Sequence, residues 1–167
     1  MTPATRRLIA IAASVCCCLG MLPWSASAYA ASDPCTALTL EEISQGLGDT
    51  FQAPIRTFAP GGKYKGDYVS CNYTGKTLTF EIKQWQFPWP ELRDRNLRTV
   101  EARYRANAQS SPLPDLGADA WWVNDLVDRI DGPYETYLAV YPTASEAYQV
   151  NRRDKLVALA KLYFSRP

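Results

Sequence analysis

The sequence contains no histidine among its 167 residues. Without an imidazole the chain cannot form a Ser–His–Asp or Cys–His catalytic group, and zinc sites lose one of their commonest ligands. The chain also has no C-x-x-C pair and neither glycine-rich phosphate-binding pattern, G-x-x-x-x-G-K or G-x-G-x-x-G. These absences predict a protein that is not an enzyme and that holds no cofactor or metal.

Acidic residues leave two alternatives to that prediction. Asp125, Asp128 and Asp131 are spaced by three, whereas the acidic ligands of a calcium loop lie two residues apart. We therefore interpret this acidity as incidental to a hairpin. A pair of carboxylates also serves glycosidases, but no pattern here places two of them in one cleft. A carboxylate-based hydrolase is thus the enzymatic alternative.

No hydrophobic run reaches the ~20 residues that a membrane-spanning helix needs. The longest run, residues 8–22, follows Arg6 and Arg7 and precedes small residues at Ala26, Ala28 and Ala30. A basic start, a short apolar stretch and A-x-A patterns are typical of a cleaved secretory signal peptide. We predict that residues 1–30 are this signal peptide and that no stable membrane span remains after cleavage. Residues 31–167 then form a single domain, exported to the periplasm or outside the cell.

A retained membrane anchor and a lipid anchor are the alternatives to soluble export. Lipid attachment in bacteria uses a cysteine that follows an apolar run and a small residue. Val15 stands before Cys16, and Pro34 stands before Cys35, so neither cysteine has the small residue expected at that position. Soluble export is therefore the favoured interpretation.

Cysteine is scarce once the signal peptide is removed, because only Cys35 and Cys71 of the five cysteines remain. In an oxidising compartment an isolated pair of cysteines most simply forms one disulfide. Closing a loop of ~36 residues would remove unfolded-state entropy worth roughly 4 kcal/mol. We therefore predict a structural Cys35–Cys71 disulfide rather than a redox or metal site.

The chain has no large excess of charge of either sign. It carries 18 basic and 17 acidic residues, and removal of Arg6 and Arg7 leaves 16 basic residues against the same 17 acidic ones. The resulting net charge of −1 supplies no attractive field for nucleic acid, so we predict no nucleic-acid partner. A hydrophobic content of 47% predicts a folded domain.

Local sequence patterns predict an α+β fold. Thr39-Leu40-Glu41-Glu42 is a capping box that starts a helix, and Gly48 ends that helix. Residues 68–73 and 77–87 predict a hairpin. Residues 51–58 are predicted to be extended, and Pro54 favours an edge position for them. Further predicted elements are a helix from Pro90 to about residue 108, strands over 119–124, 127–130 and 134–141, and a last helix over 145–164. This order predicts an antiparallel sheet of about five to six strands, with helices packed on one face and one disulfide.

The apolar pattern changes phase in the second strand of the hairpin. Apolar side chains stand at even positions before residue 83 and at odd positions after it: Leu78, Phe80 and Ile82, then Trp85, Phe87 and Trp89. Strict alternation would send the second set to the opposite face of the sheet. A β-bulge near Lys83-Gln84, or the end of the strand, would instead return these rings to the core, and we favour this interpretation. The alternative is an aromatic platform on the outer face.

Four short patterns occur together along the chain. They are Asp33-Pro34-Cys35 leading into Leu38-Thr39-Leu40-Glu41-Glu42, then Leu47-Gly48, Cys71-Asn72-Tyr73 and Leu116-Gly117-Ala118-Asp119-Ala120-Trp121-Trp122. With the C-terminal helix, they resemble small exported bacterial domains of the DUF3558 type and, more loosely, the PsbP/Mog1-like α+β sandwich. The resemblance covers most of the chain after residue 30 and implies the fold, but no reaction, cofactor or catalytic residue. Many members of that family are lipoproteins, from which this chain departs at Cys35.

Aromatic residues are plentiful in the second half of the chain. They are Trp85, Phe87, Trp89, Trp121, Trp122, Tyr134, Tyr137 and Tyr141. Most of them are expected in the core, but such rings also supply rigid, amphipathic area for binding glycans or proteins. Adjacent Trp121 and Trp122 cannot both point inward on a regular strand. We predict Trp85, Trp89 and Trp122 as a binding surface.

These features together predict an exported, non-enzymatic binding or interaction module of the bacterial cell envelope. Its expected partner is an envelope protein or a glycan. One alternative is a periplasmic inhibitor or immunity protein that blocks a cell-wall hydrolase by inserting a loop, for which residues 59–66 are the candidate. The other alternative is the carboxylate-based hydrolase.

Overall fold

The computed structural model describes residues 33–61, 66–143 and 152–166. Their helices and strands, in chain order, are α1 (Leu40–Leu47), β1 (Ile55–Ala59), β2 (Tyr68–Thr74), β3 (Leu78–Gln86), α2 (Pro90–Arg105), β4 (Ser110–Pro112), β5 (Ala120–Val123), β6 (Leu126–Asp131), β7 (Tyr134–Pro142) and α3 (Arg152–Phe164). A short 3₁₀ turn lies between β4 and β5. The predicted signal peptide, the middle of the loop 59–66 and the start of the last predicted helix lie outside the described residues.

The seven strands form one sheet in the order β1-β2-β3-β7-β6-β5-β4, and every neighbouring pair is antiparallel. The predicted α+β fold with an antiparallel sheet is therefore confirmed. The sheet has seven strands rather than five to six, because Ser110–Pro112 pairs with β5 as a short edge strand within a turn-rich segment. A proline is tolerated there because an edge strand has a neighbour on one side only.

Strand β3 runs without a bulge. Its register against β7 is continuous from the Leu78–Pro142 pair to the Gln86–Tyr134 pair, and its register against β2 is also unbroken. The predicted bulge near Lys83-Gln84 is therefore wrong. Because the alternation continues, Trp85 lies on the face opposite to Ile82, as the alternative interpretation requires.

One face of the sheet, called the core face below, carries the larger core. Phe80 and Leu138 of the sheet belong to the same buried cluster as Ile43 of α1 and Leu156 of α3. Each of these four side chains is fully buried. Helices α1 and α3 also contact each other. The core face is therefore covered by the first and last helices of the chain.

The opposite face, called the α2 face below, has a second and smaller core. Val100 and Tyr104 of α2 pack there with Trp121, Val123 and Ile130. The prediction that the helices lie on one face is thus incorrect for α2. Successive side chains of β5 point to opposite faces, so Trp121 lies on the α2 face and Trp122 on the core face. Each face therefore carries an apolar surface, and α2 covers the one that contains Trp121.

Helix α1 begins and ends as its sequence predicts. The Thr39 hydroxyl accepts a hydrogen bond from the Glu42 N–H at 3.2 Å, and the Thr39 N–H donates to Glu42 Oε2 at 2.8 Å. Gly48 ends the helix in the left-handed region, with φ of 76°. Ile43 and Leu47 turn the apolar side of the helix into the core.

The predicted disulfide is present. Cys35 and Cys71 are bonded, with their Cα atoms 5.3 Å apart, and the link joins the segment before α1 to β2. The Tyr73 hydroxyl donates to the Cys35 carbonyl oxygen at 3.0 Å and ties down the same segment. Among the described residues, no helix is both long enough and apolar enough to cross a membrane.

Candidate ligand-binding face

The three tryptophans predicted as a binding surface do not lie together. Trp85 projects from the α2 face and Trp122 from the core face, where the guanidinium of Arg153 lies 5.9 Å from its ring centroid. Trp89 precedes the first residue of α2 and is 41% exposed. The structure therefore separates Trp85 from Trp122 by the thickness of the sheet.

Trp85 instead belongs to an aromatic group on the α2 face, which we call the Tyr68–Trp85–Tyr137 cluster. Tyr68 is its direct partner across the β2–β3 pair, and Tyr137 lies diagonally on β7. The ring centroids of Tyr68 and Trp85 are 5.8 Å apart, and those of Trp85 and Tyr137 are 4.8 Å apart in an edge-to-face arrangement. All three side chains are half-buried.

Lys83 adds a positive charge to this cluster. Its Nζ lies 5.0 Å from the Tyr68 ring centroid and 5.1 Å from that of Trp85. It also lies 3.8 Å from Glu81 Oε1. A cation over an aromatic face is attracted by the ring quadrupole, so the lysine and the two rings support one another's positions.

A row of hydrogen-bonding side chains continues from Lys83 along β3 and β2. The Ser70 hydroxyl donates to Glu81 Oε1 at 2.8 Å, and Asn72 Nδ2 donates to Ser70 Oγ at 3.0 Å. Asn72 and Glu81 face each other across the β2–β3 pair and are both partly exposed. The α2 face therefore presents rings at one end of these strands and polar groups at the other.

Two buried carboxyl groups lie between the cluster and α2. Tyr104 of α2 donates its hydroxyl proton to Asp128 Oδ2 at 2.7 Å. Glu135 accepts from the Tyr137 hydroxyl at 2.6 Å and from Asn96 Nδ2 of α2 at 2.9 Å. Tyr137 thus belongs both to the aromatic cluster and to this carboxyl network.

Their surroundings raise the pKa of both carboxyl groups. Burial raises the pKa of Asp128 well above its usual range; the Glu135 carboxylate raises it further, and the Tyr104 hydroxyl bond opposes the rise. Burial likewise raises the pKa of Glu135, against the bonds from Tyr137 and Asn96. Asp128 Oδ1 is buried and has no hydrogen-bond partner among the described residues, which further disfavours a negative charge there.

These carboxyl groups are placed to organise the face rather than to contact a ligand. Asp128 is 1% exposed and Glu135 is 6% exposed. Elsewhere, Asp33, Cys35 and Cys71 bring ligand-type atoms within 4.8 Å of one another. Both sulfur atoms there are bound to each other in the disulfide and are not thiolate ligands, so the grouping is not a metal site.

The sequence analysis singled out Trp85 and Tyr137, interpreted Asp128 as incidental acidity of a hairpin, and did not single out Tyr68, Lys83 or Glu135. The turn expected at residues 74–76 would set Tyr68 opposite Ile82, whereas the turn centres on residues 76 and 77 and sets Tyr68 opposite Trp85. Asp128 left a signal, as an acidic residue inside the apolar strand Val127–Ile130. This signal does not reveal that β7 inserts between β3 and β6.

The comparisons with known proteins supply no relative for this chain: no protein-family model, no curated protein and no solved structure matches it. The resemblance to domains of the DUF3558 type therefore stays a prediction.

Proposed function

We propose that this protein is an exported, non-enzymatic binding module of the bacterial cell envelope that takes a cell-wall glycan on its α2 face. The Tyr68–Trp85–Tyr137 cluster would contact a sugar ring, and Lys83 with the neighbouring polar row would bond its hydroxyl and acidic groups. The observation that carries the proposal is the grouping of three half-buried rings around one lysine on the α2 face of the sheet.

The exposure of the aromatic residues supports a binding role. Of the eight aromatic residues singled out in the sequence, Trp121 alone is buried. Trp122 and Phe87 pack against the two cores, whereas Trp85 and Tyr137 keep part of their rings exposed on the α2 face. Rigid aromatic side chains that are partly exposed to solvent are typical of recognition surfaces.

A glycan suits this face better than an envelope protein. A stable protein interface needs a broad apolar centre, whereas here Lys83 lies over the rings, and Glu81 and Asn72 follow further along the same strands. A few rings with convergent polar groups are typical of small-ligand sites. Lys83 would also attract the carboxylate groups that cell-wall glycans carry.

Location in the envelope rests on the sequence pattern of residues 1–30, and the disulfide agrees with it. A Cys35–Cys71 bond persists in oxidising compartments and is rare in the cytosol. Export would place the domain in contact with cell-wall polymers, which supports the choice of ligand.

Co-sedimentation with purified, insoluble peptidoglycan tests the proposal. The full chain, expressed with its own leader and purified from the oxidising compartment of a bacterial host, should bind saturably. Trp85→Ala should weaken the affinity about tenfold or more, as expected for a ring at the centre of a binding surface. Tyr68→Ala, on the neighbouring strand, should weaken it in the same direction.

Trp89→Ala is the matched control, because Trp89 is exposed but lies outside the cluster. It should leave the affinity within about twofold of the original value. Near-ultraviolet circular dichroism and thermal unfolding verify that each variant is folded. Absence of binding by the unchanged protein, or equal losses for Trp85→Ala and Trp89→Ala, would refute the proposal.

Neither alternative has a comparable observation behind it. The inhibitor hypothesis depends on the loop 59–66, of which residues 62–65 lie outside the described residues. The hydrolase hypothesis needs carboxylates that a substrate can touch, whereas the two with raised pKa values, Asp128 and Glu135, are buried beside α2. We therefore propose the binding function alone.

A further inference from the structure

Strand β1 exposes large apolar side chains on both of its sides. It forms one edge of the sheet and pairs only with β2 among the described residues. Ile55 on the α2-face side is 68% exposed, and Phe58 on the core-face side is 55% exposed. These are the two largest exposures among the big apolar residues of the described chain. An exposed apolar edge strand is a template for pairing with another strand.

Two prolines flank β1 at equal distances from Thr57. The segment reads Pro54-Ile55-Arg56-Thr57-Phe58-Ala59-Pro60, with a proline three residues to each side of the centre. Proline has no N–H to donate and ends strand pairing. The prolines therefore limit any added strand to the five residues between them and leave those residues free of interruption.

We propose that β1 pairs antiparallel with β1 of a second copy of this chain, with the two Thr57 residues opposite each other. The two seven-stranded sheets then join into one, around a twofold axis perpendicular to the sheet. This arrangement is an isologous interface, in which the same strand serves both subunits. It does not depend on the proposed glycan binding.

The pairing brings complementary side chains together. On the core-face side, Arg56 of each copy lies opposite Phe58 of the other, which places two guanidinium groups against two aromatic rings. On the α2-face side, Ile55 lies opposite Ala59 of the other copy, so its exposed side chain gains an apolar neighbour. Asp33, 3.4 Å from Arg56 Nε, stays beside the arginine and balances its charge.

The short length of β1 determines both the register of the proposed strand pairing and the stability of the dimer. A slip by one residue would send every side chain to the wrong side and would bring a proline into the paired region. Two five-residue strands bury less area than a permanent dimer does. The dimer is therefore reversible, and its population depends on protein concentration.

Sedimentation equilibrium measures this dimer in the exported full-length product. The protein should dimerise reversibly as its concentration rises toward about 1 mM. Phe58→Lys should weaken dimerisation about tenfold or more, because a lysine replaces the ring and meets Arg56 of the other copy. Phe58→Glu removes the same ring but meets Arg56 with the opposite charge, so it should stay dimeric.

Leu162→Lys is the matched control, since it makes the same change of charge at an exposed apolar residue on α3. It should leave the dimer unchanged. Phe58 is exposed, so its substitution should not unfold the domain, and thermal unfolding verifies this. A protein that stays monomeric up to about 1 mM overturns the proposal. A dimer that Phe58→Lys does not weaken, or that both Phe58 variants weaken equally, overturns it as well.

Discussion

Asp128 is an acidic residue that is almost fully buried. It lies on β6 directly opposite Tyr137, accepts the Tyr104 hydroxyl proton from α2, and has its second oxygen buried without a described partner. A buried polar group of this kind costs free energy unless its charge is suppressed. Its position beneath α2 links the docking of that helix to the geometry of Tyr137 in the aromatic cluster.

Because the pKa of Asp128 is raised in the folded state, the part of the protein's stability that depends on this residue should fall as pH rises. The unfolded chain releases this proton near the ordinary aspartate pKa, whereas the folded chain keeps it to higher pH. The contribution of Asp128 to the free energy of unfolding is therefore largest at low pH and declines as pH rises from the unfolded toward the folded pKa. Asp128→Asn should flatten this decline, measured by urea unfolding between about pH 3 and pH 8.

Asp131→Asn provides the control for that measurement. Asp131 ends the same strand but is exposed. Its substitution removes only a surface ion pair with Arg129, so the decline attributed to Asp128 should remain. If the profile of Asp128→Asn runs parallel to that of the unchanged protein, the assignment of a buried, protonated Asp128 is wrong.

At the scale of the element, one carboxylate orders the turn between β2 and β3. Asp49 follows the C-terminal end of α1, and its side chain accepts hydrogen bonds from the N–H groups of Thr77 and Leu78 at 2.8 and 2.9 Å. Burial alone would raise its pKa, but the bonds from the Thr77, Thr50 and Leu78 N–H groups outweigh this effect and lower it. The turn is therefore fixed from outside the hairpin, by the segment after α1.

Asp49→Asn should lower the free energy of unfolding by about 1–3 kcal/mol near neutral pH, because a neutral amide with one acceptor oxygen replaces a charged acceptor that has two. The lowered pKa means that the contribution of Asp49 is present above the unfolded pKa and lost as pH falls through the folded one. The difference between the two proteins should therefore shrink in acid. Urea unfolding at neutral and acidic pH measures it, and a difference that grows in acid would contradict this role.

Elements with local signals were predictable, and their arrangement was not. The capping box of α1, the β2–β3 hairpin and the alternation of β7 depend on neighbours in the sequence, so each was readable from the chain. The place of β7 between β3 and β6 depends on contacts between segments more than 40 residues apart, such as Ile82 with Leu138. The position of α2 also depends on the strand order. That order brings Trp121 and Ile130 together on the face that the helix covers.

The candidate site shows the same division. Trp85 was singled out from the sequence, and its place on the outer face follows from strict alternation rather than from the favoured bulge. Lys83 precedes Trp85 by two residues on the same strand, whereas Tyr68 joins through a hairpin register that differs by three residues from the one expected for a turn at residues 74–76. Glu135 and Asn96 join through the packing of α2 on β7, for which no local pattern exists.

At the scale of the whole molecule, the disulfide links the start of the domain to the sheet. Cys71 is fully buried, and the bond closes a sequence separation of 36 residues. A double variant, Cys35→Ser with Cys71→Ser, should lower the free energy of unfolding by about 4 kcal/mol, chiefly because the unfolded chain regains freedom. Guanidinium unfolding measures this change, and reduction of the unchanged protein should have a similar effect. Equal stability of the bonded and unbonded forms would show that the link contributes nothing.

The two proposals are compatible within one assembly. A twofold axis perpendicular to the sheet would keep both Tyr68–Trp85–Tyr137 clusters on the same side of the dimer. Five strand spacings would separate the two copies of β3, which is roughly 24 Å. Two sites facing one way at this distance would let a polymer engage both, so the dimer would bind long glycans more tightly than short ones.

The central claim, that the α2 face binds glycan through Trp85, is tested most directly by nuclear magnetic resonance. The indole N–H signals of the folded domain report separately on Trp85, Trp89, Trp121 and Trp122. Titration with soluble oligosaccharide fragments of cell-wall glycan should shift the Trp85 signal and the amide signals of β2, β3 and β7 around it. The Trp122 signal, on the opposite face, should stay in place. A titration in which Trp85 does not move, or in which Trp122 moves instead, would contradict the account.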